Sequence, residues 1–191
     1  MDERFQKFYI SYGRYHHDPT NQWIHIVFIP TIIATLFFMT HGAVLFTIGL
    51  GGVLVNVDFG LALLAVCVPI YLLVDIFTGV LAVLIYGSSY VYSLSLYQQV
   101  DHSKEVMFGL TTYQCAVALH ITAWVSQFIG HGVFEGRKPA LMDNIFLTLV
   151  APAFAIIEVL AKFGYRKSDI EAADKLIVKD TKQYRASKKS Q

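Results

Sequence analysis

The feature that most constrains this chain is a long run of residues without charge. Between Thr20 and Val57 the sequence contains no Asp, Glu, Lys or Arg. In the whole chain 55% of residues are hydrophobic and 15% are charged, whereas soluble domains typically have about 25% charged residues. The composition therefore predicts a membrane protein whose partner is the lipid bilayer, and it argues against nucleic acid as a partner.

Apolar runs separated by short polar breaks predict membrane-embedded helices. They lie at residues 23–40, 43–57, 59–74, 76–97, 106–129 and 145–161. Most approach the roughly 20 residues that a membrane-spanning helix needs, but the glycine-containing run 43–57 is short. We predict an all-α, polytopic membrane helix bundle of about four to six membrane-embedded helices, in which residues 1–191 form a single domain.

The two ends of the chain are polar. Nine Lys or Arg residues occur from Lys162 onward, and the positive-inside rule predicts that this tail, 162–191, lies in the cytosol. Near the other end, aromatic residues recur at spacings of three and four between Phe5 and Tyr15. This spacing fits an amphipathic helix on the membrane surface, with an ordinary packed helix as the alternative.

A first polar cluster stands at the start of the uncharged run, in YHHDPTNQWIH. Asp18, followed by proline, predicts a helix start, because its carboxylate can accept the free amide hydrogens of the first turn. Asn21 and His25 are four residues apart and share a helix face, and His16 and His17 precede the cap. Three histidines and an amide together indicate a ligand site, although any one histidine can be an interfacial residue.

A second polar cluster lies in AWVSQFIGHGVFEGRKPALMDN, residues 123–144. His131 and Glu135 are one helical turn apart, and Gln127 lies one turn earlier. A polar stripe beside apolar surface is costly unless its groups are paired, metal-bound or hydrated. The alternative to a functional site is a helix end at the interface whose His and Glu bond to neighbours.

The two clusters can share one metal only if the chain brings them to the same side of the membrane. If all five apolar runs before His131 crossed, that residue would lie opposite His16 and His17. We therefore expect at least one run to be re-entrant or only partly inserted. Ala43–Val57 and Val106–Ile129 are the two candidates, and both remain open from the sequence.

The stretches YHHDPTNQWIHIVFIP and AWVSQFIGHGVFEGRKPALMDN resemble the motifs of a family of small membrane proteins that includes the fungal 2-hydroxy fatty acid dioxygenase. Between them the resemblance rests on order, length and apolar character. It implies an iron-dependent, multi-pass enzyme of the endoplasmic reticulum membrane that acts in phytosphingosine degradation. The family's motifs match His16, His17, His25, His131, Glu135, Arg137 and Pro139, and leave His41, His102 and His120 without a counterpart.

The implied reaction is an α-oxidation. Iron(II) and O2 shorten a long-chain 2-hydroxy fatty acid by one carbon, giving carbon dioxide and an odd-chain acid. Imidazoles suit iron, and a constellation that leaves coordination positions open lets oxygen and substrate bind together. The greasy tail of the substrate can lie between apolar helices.

From the motifs we assign roles to individual residues. His17, His25 and His131 are the iron ligands, and His16 is a fourth ligand or a partner of one. Glu135 is a ligand or an orienting carboxylate, and it is grouped with His131 and Asn21 as catalytic. Arg137 and Lys138 follow at the membrane edge, where they can draw in the substrate carboxylate, with lipid headgroup contact as the alternative.

Other classes of protein are less consistent with the residues. Diiron membrane hydroxylases resemble eight-histidine arrays with HxxxH and HxxHH spacings, but this chain has seven histidines and neither spacing. An HExxH metalloprotease motif is also absent from the sequence. A non-enzymatic lipid-binding scaffold or a small transporter stays open as the alternative function, and the oligomeric state is not determined by the sequence.

The resemblance makes the 2-hydroxyl group of the substrate a testable requirement. A carboxylate and an adjacent hydroxyl can bind one metal as a five-membered chelate, which holds the α-carbon in place. We expect an unsubstituted acid of equal length to enter the same apolar site without being shortened. Incubation of the iron-loaded protein with each acid under oxygen, followed by product analysis, checks this, and equal shortening of both acids would contradict it.

Overall fold

The protein folds as a helix bundle, as the sequence predicts. The computed structural model describes residues 2–189, with side chains through Tyr184. Its α-helices within this range are Glu3–Gly13 (α1), Pro19–Thr40 (α2), Phe59–Val74 (α3), Ile76–Gln99 (α4), Thr112–Ile129 (α5), Ile145–Lys162 (α6) and Lys167–Lys189 (α7). Among the described residues, α2, α4 and α6 are long and apolar enough to cross a membrane, and α3 is a shorter apolar helix.

Two small antiparallel hairpins interrupt the helices. The first pairs Val44–Leu50 (β1) with Val53–Asp58 (β2), and the second pairs Glu105–Met107 (β3) with Leu110–Thr111 (β4). The run 43–57 forms a hairpin because it is rich in β-branched and other apolar residues around Gly51 and Gly52. Both glycines have positive φ, 55° and 88°, as the tight turns of two-residue hairpins require.

Aspartates define where several helices begin. The side chain of Asp18 accepts hydrogen bonds from the backbone amides of Thr20 and Asn21, so α2 begins at Pro19 as predicted. Asp58 caps α3 and Asp75 caps α4 in the same way. Each cap satisfies amides that the first helical turn leaves free, so a short polar residue between two apolar runs is enough to separate two helices.

Both hairpins lie at one end of the bundle, which we call the hairpin end. His41, just after α2, hydrogen-bonds with Asp58 at the end of β2 and with Ser93 in the last turns of α4. The ring of Tyr97 lies 4.4 Å from that of His102, which precedes β3. The opposite end, which carries the start of α2 and the end of α5, is called the histidine end.

The first hairpin explains how the two histidine motifs come to lie at the same end of the bundle. The run Ala43–Val57 is a β-hairpin and not a helix, whereas most of Val106–Ile129 forms α5. Four helices, α2 to α5, therefore separate His16 from His131. Because four successive antiparallel helices return the chain to the end at which it started, both motifs lie at the histidine end.

The helix α1 packs inside the fold and does not lie free on the surface. Phe5, Tyr9 and Tyr12 on its inner face are buried, and the ring of Tyr12 stacks on Phe154 of α6 with centroids 4.4 Å apart. The helix α1 also contacts α7, whose buried Ile177 belongs to the same apolar cluster. The structure therefore shows that α1 packs through one face, and contact of its exposed face with a membrane surface stays a prediction.

An ion-paired network closes the histidine end. Arg166, in the turn between α6 and α7, donates to Oδ1 of Asp75 through Nε at 2.9 Å and Nη2 at 2.6 Å. The hydroxyl of Tyr165 donates to Oδ2 at 2.7 Å. Burial alone would raise the pKa of Asp75, but hydrogen bonds from Thr78, Tyr165 and Arg166 hold it below its normal value. The α6–α7 turn is thereby fixed to the α3–α4 corner.

Both hairpins lie at one end of the bundle, and the α6–α7 turn is bound to Asp75 at the other end, which predicts a specific labelling pattern. In a bilayer, single cysteines at Thr47→Cys and Lys104→Cys, in the two hairpin regions, should react with a membrane-impermeant maleimide from one side, and Lys182→Cys on α7 only from the other. The unsubstituted chain, with Cys67 buried and Cys115 half-buried, gives the background. Labelling of Thr47→Cys and Lys104→Cys from opposite sides would contradict the arrangement.

Candidate metal centre

Three imidazoles from distant parts of the chain converge at the histidine end. His16 comes from the loop before α2, His25 from the second turn of α2, and His131 from the segment after α5. One ring nitrogen of each lies within 4.8 Å of the others, and the three side chains are at most 5% exposed. The ring of His16 lies 4.4 Å from that of His25, and both lie 4.8 Å from that of His131.

Hydrogen bonds determine which ring nitrogens are available. Nδ1 of His16 lies 3.1 Å from the carbonyl oxygen of Tyr12, and Nδ1 of His25 lies 2.9 Å from that of Asn21. A carbonyl only accepts, so each Nδ1 carries the proton and donates it, which leaves the Nε2 lone pair free. Nδ1 of His131 is buried and has no hydrogen-bond partner. Such an arrangement offers several lone pairs to one cation.

The environment keeps these imidazoles uncharged. Burial, together with the neighbouring His25 and His131, holds the pKa of His16 well below its normal value. Burial also lowers the pKa of His131 to about 4. At neutral pH both rings are therefore neutral, which is the form that binds metals.

His131 lies in a π-helix that continues α5. Residues Gly130–Glu135 form this element, and the chain leaves the helix at Gly136, whose φ is 63°. The sequence analysis placed His131 and Glu135 on one turn of a helix, which the structure matches with a wider turn. Single-turn π-helices are rare and often occur at functional sites, because the extra residue per turn redirects side chains.

Glu135 joins the π-helix to the start of α2. Its Oε1 accepts a hydrogen bond from the backbone amide of Asp18 at 2.7 Å and another from Nδ2 of Asn21 at 3.2 Å. The same Nδ2 also donates to the carbonyl of Tyr15 at 3.2 Å. Glu135 and Asn21 thus fasten the loop that carries His16 to the element that carries His131. Glu135 does not belong to the group of convergent donor atoms.

Three residues of the two motifs carry buried polar atoms without hydrogen-bond partners. Oδ1 of Asn21, Nε2 of Gln127 and Nδ1 of His131 are all buried without a hydrogen-bond partner. Buried polar atoms are usually paired, so these need an explanation. Gln127 and His131 line the cavity described below, where a bound cation or a polar ligand would supply partners, whereas Oδ1 of Asn21 faces the backbone of Gly130.

His17 does not join the cluster. It follows His16 directly but is only half-buried, and it lies near Asp174 of α7. In the described part of the chain the convergent group consists of His16, His25 and His131. The structure therefore brings together three of the four histidines that the motifs suggested.

Arg137 is engaged with other groups and does not line the cavity described below. Its guanidinium lies 4.4 Å from the ring centroids of both Tyr15 and Tyr184, and Nη1 donates to the carbonyl of Arg14 at 3.1 Å. Lys138 is exposed and likewise does not line the cavity. A substrate carboxylate would have to displace these contacts to reach Arg137.

Sequence reasoning missed Tyr12 as part of the site. Its ring stacks on that of His16, with centroids 3.9 Å apart and planes within 7° of parallel, and its carbonyl accepts the Nδ1 proton. The only signal in the sequence was that Tyr12 and His16 are four residues apart. That spacing had no clear meaning in the sequence, because α1 ends at Gly13, between them.

An apolar cavity leads from the histidines into the bundle. It is lined by α2 to α6 and by the short Ala140–Met142 3₁₀-helix. His16, His25 and His131 stand at one end of it, with Gln127 beside them. The other lining side chains are predominantly aliphatic or aromatic, so the cavity suits a long apolar chain whose polar head lies at the histidines.

Comparison with known proteins agrees with this geometry. The model of a protein family described as 2-hydroxy-palmitic acid dioxygenase Mpo1-like matches residues 3–163. The 2-hydroxy-palmitic acid dioxygenase MPO1 of Saccharomyces cerevisiae is 36% identical over 160 residues, which cover 81% of this chain and 78% of that protein. No solved structure matches this chain. The family match contains every histidine of the centre and ends before α7.

The geometry predicts which histidines bind metal. After reconstitution with Fe(II) under anaerobic conditions, the purified protein should hold about one metal per chain. The variants His16→Ala, His25→Ala and His131→Ala each remove a ligand, so the affinity of the protein for the metal should fall. The loss should exceed the roughly 10- to 100-fold loss that is typical when a hydrogen-bond partner of a ligand is removed. Metal content after gel filtration gives the result. His17→Ala is the matched control and should keep its metal; loss from this variant equal to that from His16→Ala would contradict the assignment.

Proposed function

This chain belongs to the 2-hydroxy-palmitic acid dioxygenase Mpo1-like family, and from that premise we propose that it is an iron(II)-dependent dioxygenase of long-chain 2-hydroxy fatty acids. The observation that carries the proposal is the convergence of three buried imidazoles at one end of an apolar cavity. The proposed reaction removes the carboxyl carbon as carbon dioxide. The α-carbon becomes the new carboxyl carbon. Each turnover consumes one O2 and forms one carbon dioxide and one water.

The residues of the centre fit iron(II). Three neutral imidazoles, from His16, His25 and His131, are ligands that suit this metal, and three protein ligands leave positions open for small molecules. When bound there, the metal supplies the activation of oxygen. We accordingly propose His16, in place of His17, as the third histidine ligand, because its donor atom lies within reach of the other two.

The protein's own groups orient the site. The carbonyls of Tyr12 and Asn21 hold the rings of His16 and His25 in one tautomer, with Nε2 free to act as a ligand. Glu135 and Asn21 hold the two chain segments together, so we propose an orienting role for both and not direct ligation. Partners of this kind typically affect metal affinity or activity about 10- to 100-fold.

The cavity accounts for how a lipid substrate is held. Its apolar walls, for example Ile29, Ile33 and Leu149, favour the hydrocarbon tail by removing it from water. The carboxylate and the 2-hydroxyl group then lie at the histidines, beside the unpaired amide of Gln127. The role of Arg137 and Lys138 in drawing in the carboxylate stays a prediction.

We further propose that the enzyme works in the endoplasmic reticulum membrane, with its C-terminal tail in the cytosol and a place in sphingoid-base degradation. The membrane-length helices α2, α4 and α6 support a membrane location, and the basic residues from Lys162 onward support the orientation of the tail. A non-enzymatic lipid-binding scaffold or small transporter is the alternative, and turnover distinguishes them.

Turnover and its dependence on Glu135 test the proposal. Iron-loaded protein should convert a 2-hydroxy acid under oxygen into carbon dioxide and the acid one carbon shorter. Glu135→Gln should keep its iron but lower kcat about 10- to 100-fold, because the weaker acceptor loosens the loop that carries His16. Product analysis and metal content are measured together.

The control for this experiment is Glu105→Gln, which makes the same chemical change at an exposed residue of the hairpin end and should leave turnover unchanged. Full loss of iron from Glu135→Gln would instead indicate that Glu135 is a ligand. If the iron-loaded wild-type protein formed no product, the scaffold alternative would be favoured.

A further inference from the structure

One face of α2 forms a continuous wall of the cavity. The lining residues on this helix are His25, Ile29, Ile32, Ile33, Leu36 and Phe37. Their spacing of three and four residues places them in a single stripe that begins at the metal centre. The cavity therefore runs along the axis of α2, and Phe37 is the lining residue of this helix that lies farthest from the histidines.

The length of this wall corresponds to the length of a fatty acid. Twelve residues separate His25 from Phe37, which is about 18 Å at the helical rise of about 1.5 Å per residue. An extended hydrocarbon chain advances roughly 1.3 Å per bond, so about 14 bonds span that distance. With its carboxyl and α-carbon at the histidines, an acid of about 16 carbons would extend along this wall as far as Phe37.

Phe37 is held firmly in place. Its side chain is only 2% exposed, and its ring makes an edge contact with the ring of Tyr90, with centroids 5.3 Å apart. It also lies against the backbone of Gly60, where any Cβ would come within 2.8 Å of the ring. A side chain enclosed in this way cannot rotate aside without moving α3 or α4.

A buried polar network lies directly behind Phe37. The hydroxyl of Tyr90 donates to Oδ2 of Asp58 at 2.9 Å, and Nδ1 of His41 lies 2.7 Å from the same oxygen. Nε2 of His41 lies 3.1 Å from the hydroxyl of Ser93. All of these groups are buried, so an apolar chain that reached them would separate polar partners without replacing them.

We propose that Phe37, backed by this network, is the stop that sets the longest acyl chain the protein accepts. This inference rests on the proposed function, because it assumes that the cavity holds the substrate tail. Chains up to about 16 carbons gain contact with apolar walls for each added carbon. Longer chains meet the ring of Phe37 and then the polar groups behind it, so further carbons should not increase the affinity.

Equilibrium binding of 2-hydroxy acids with 12 to 20 carbons tests this stop without requiring turnover. In the wild-type protein, affinity should rise about fourfold per added carbon, as expected for each buried methylene. The rise should end near 16 carbons. In Phe37→Ala it should continue for about two or more further carbons, because the space left by the ring extends the cavity.

Two further variants sharpen the experiment. Leu64→Phe, on the α3 wall of the cavity, should move the limit to shorter chains, and it tests the stop if Phe37→Ala does not fold. Phe38→Ala is the matched control, because Phe38 is the next residue on α2, is also buried, and packs against Tyr97 without lining the cavity. Its length limit should equal that of the wild type.

The outcomes separate this inference from the proposed function. If wild type, Phe37→Ala and Leu64→Phe bind the series with the same limit, Phe37 is not the stop, although the lipid function stands. The same conclusion follows if Phe38→Ala shifts the limit as much as Phe37→Ala does. Failure of the wild-type protein to bind any long-chain acid would refute the substrate assignment itself, and the inference with it.

Discussion

Three uncharged imidazoles buried in an apolar bundle are the constraint on which the rest of this structure depends. An imidazole keeps two polar nitrogens, and burial is costly unless both have partners. For His16 and His25 the chain supplies one partner from a backbone carbonyl and leaves the other nitrogen facing the cluster. The capped start of α2, the loop before it and the π-helix after α5 are all arranged around that requirement.

The meeting of these imidazoles depends in turn on how many helices separate them. Four helices and two short hairpins return the chain to the histidine end. Partly or fully buried hydrogen bonds connect the two motifs: the amide of Asp18 donates to Glu135, and Nδ2 of Asn21 donates to both Glu135 and the carbonyl of Tyr15. The carboxylate of Glu135, which lies in the π-helix, accepts a hydrogen bond from Asp18, the residue that caps α2. One side chain therefore holds the π-helix and the start of α2 together.

The two ends and the middle of the bundle carry different kinds of groups. The histidine end carries the candidate metal centre, the middle is an apolar cavity, and the hairpin end is closed by polar groups around Asp58. His120 contributes to the middle section, since it hydrogen-bonds to Thr35 of α2 and accepts from the indole of Trp124, which lines the cavity. His41 and His120, which lie outside the two motifs, thus connect neighbouring helices or support the wall of the cavity.

Much of the fold and part of the site could be predicted from the sequence, because they depend on local patterns. The absence of charge predicted membrane helices, Asp18 predicted the start of α2, and the motifs singled out His16, His17, His25, His131 and Glu135. Capping, periodicity and composition act within a few residues, so the chain itself displays them.

Other features were decided only by tertiary structure. Adjacent residues His16 and His17 point to different partners because the loop that carries them is held by Glu135, more than 110 residues away. The run 43–57 became a hairpin and not a partly inserted helix, and Arg137 lies beside two tyrosine rings, one from the loop before α2 and one from α7. The direction of a side chain depends on contacts with segments far away in the sequence, and no local pattern carries that information.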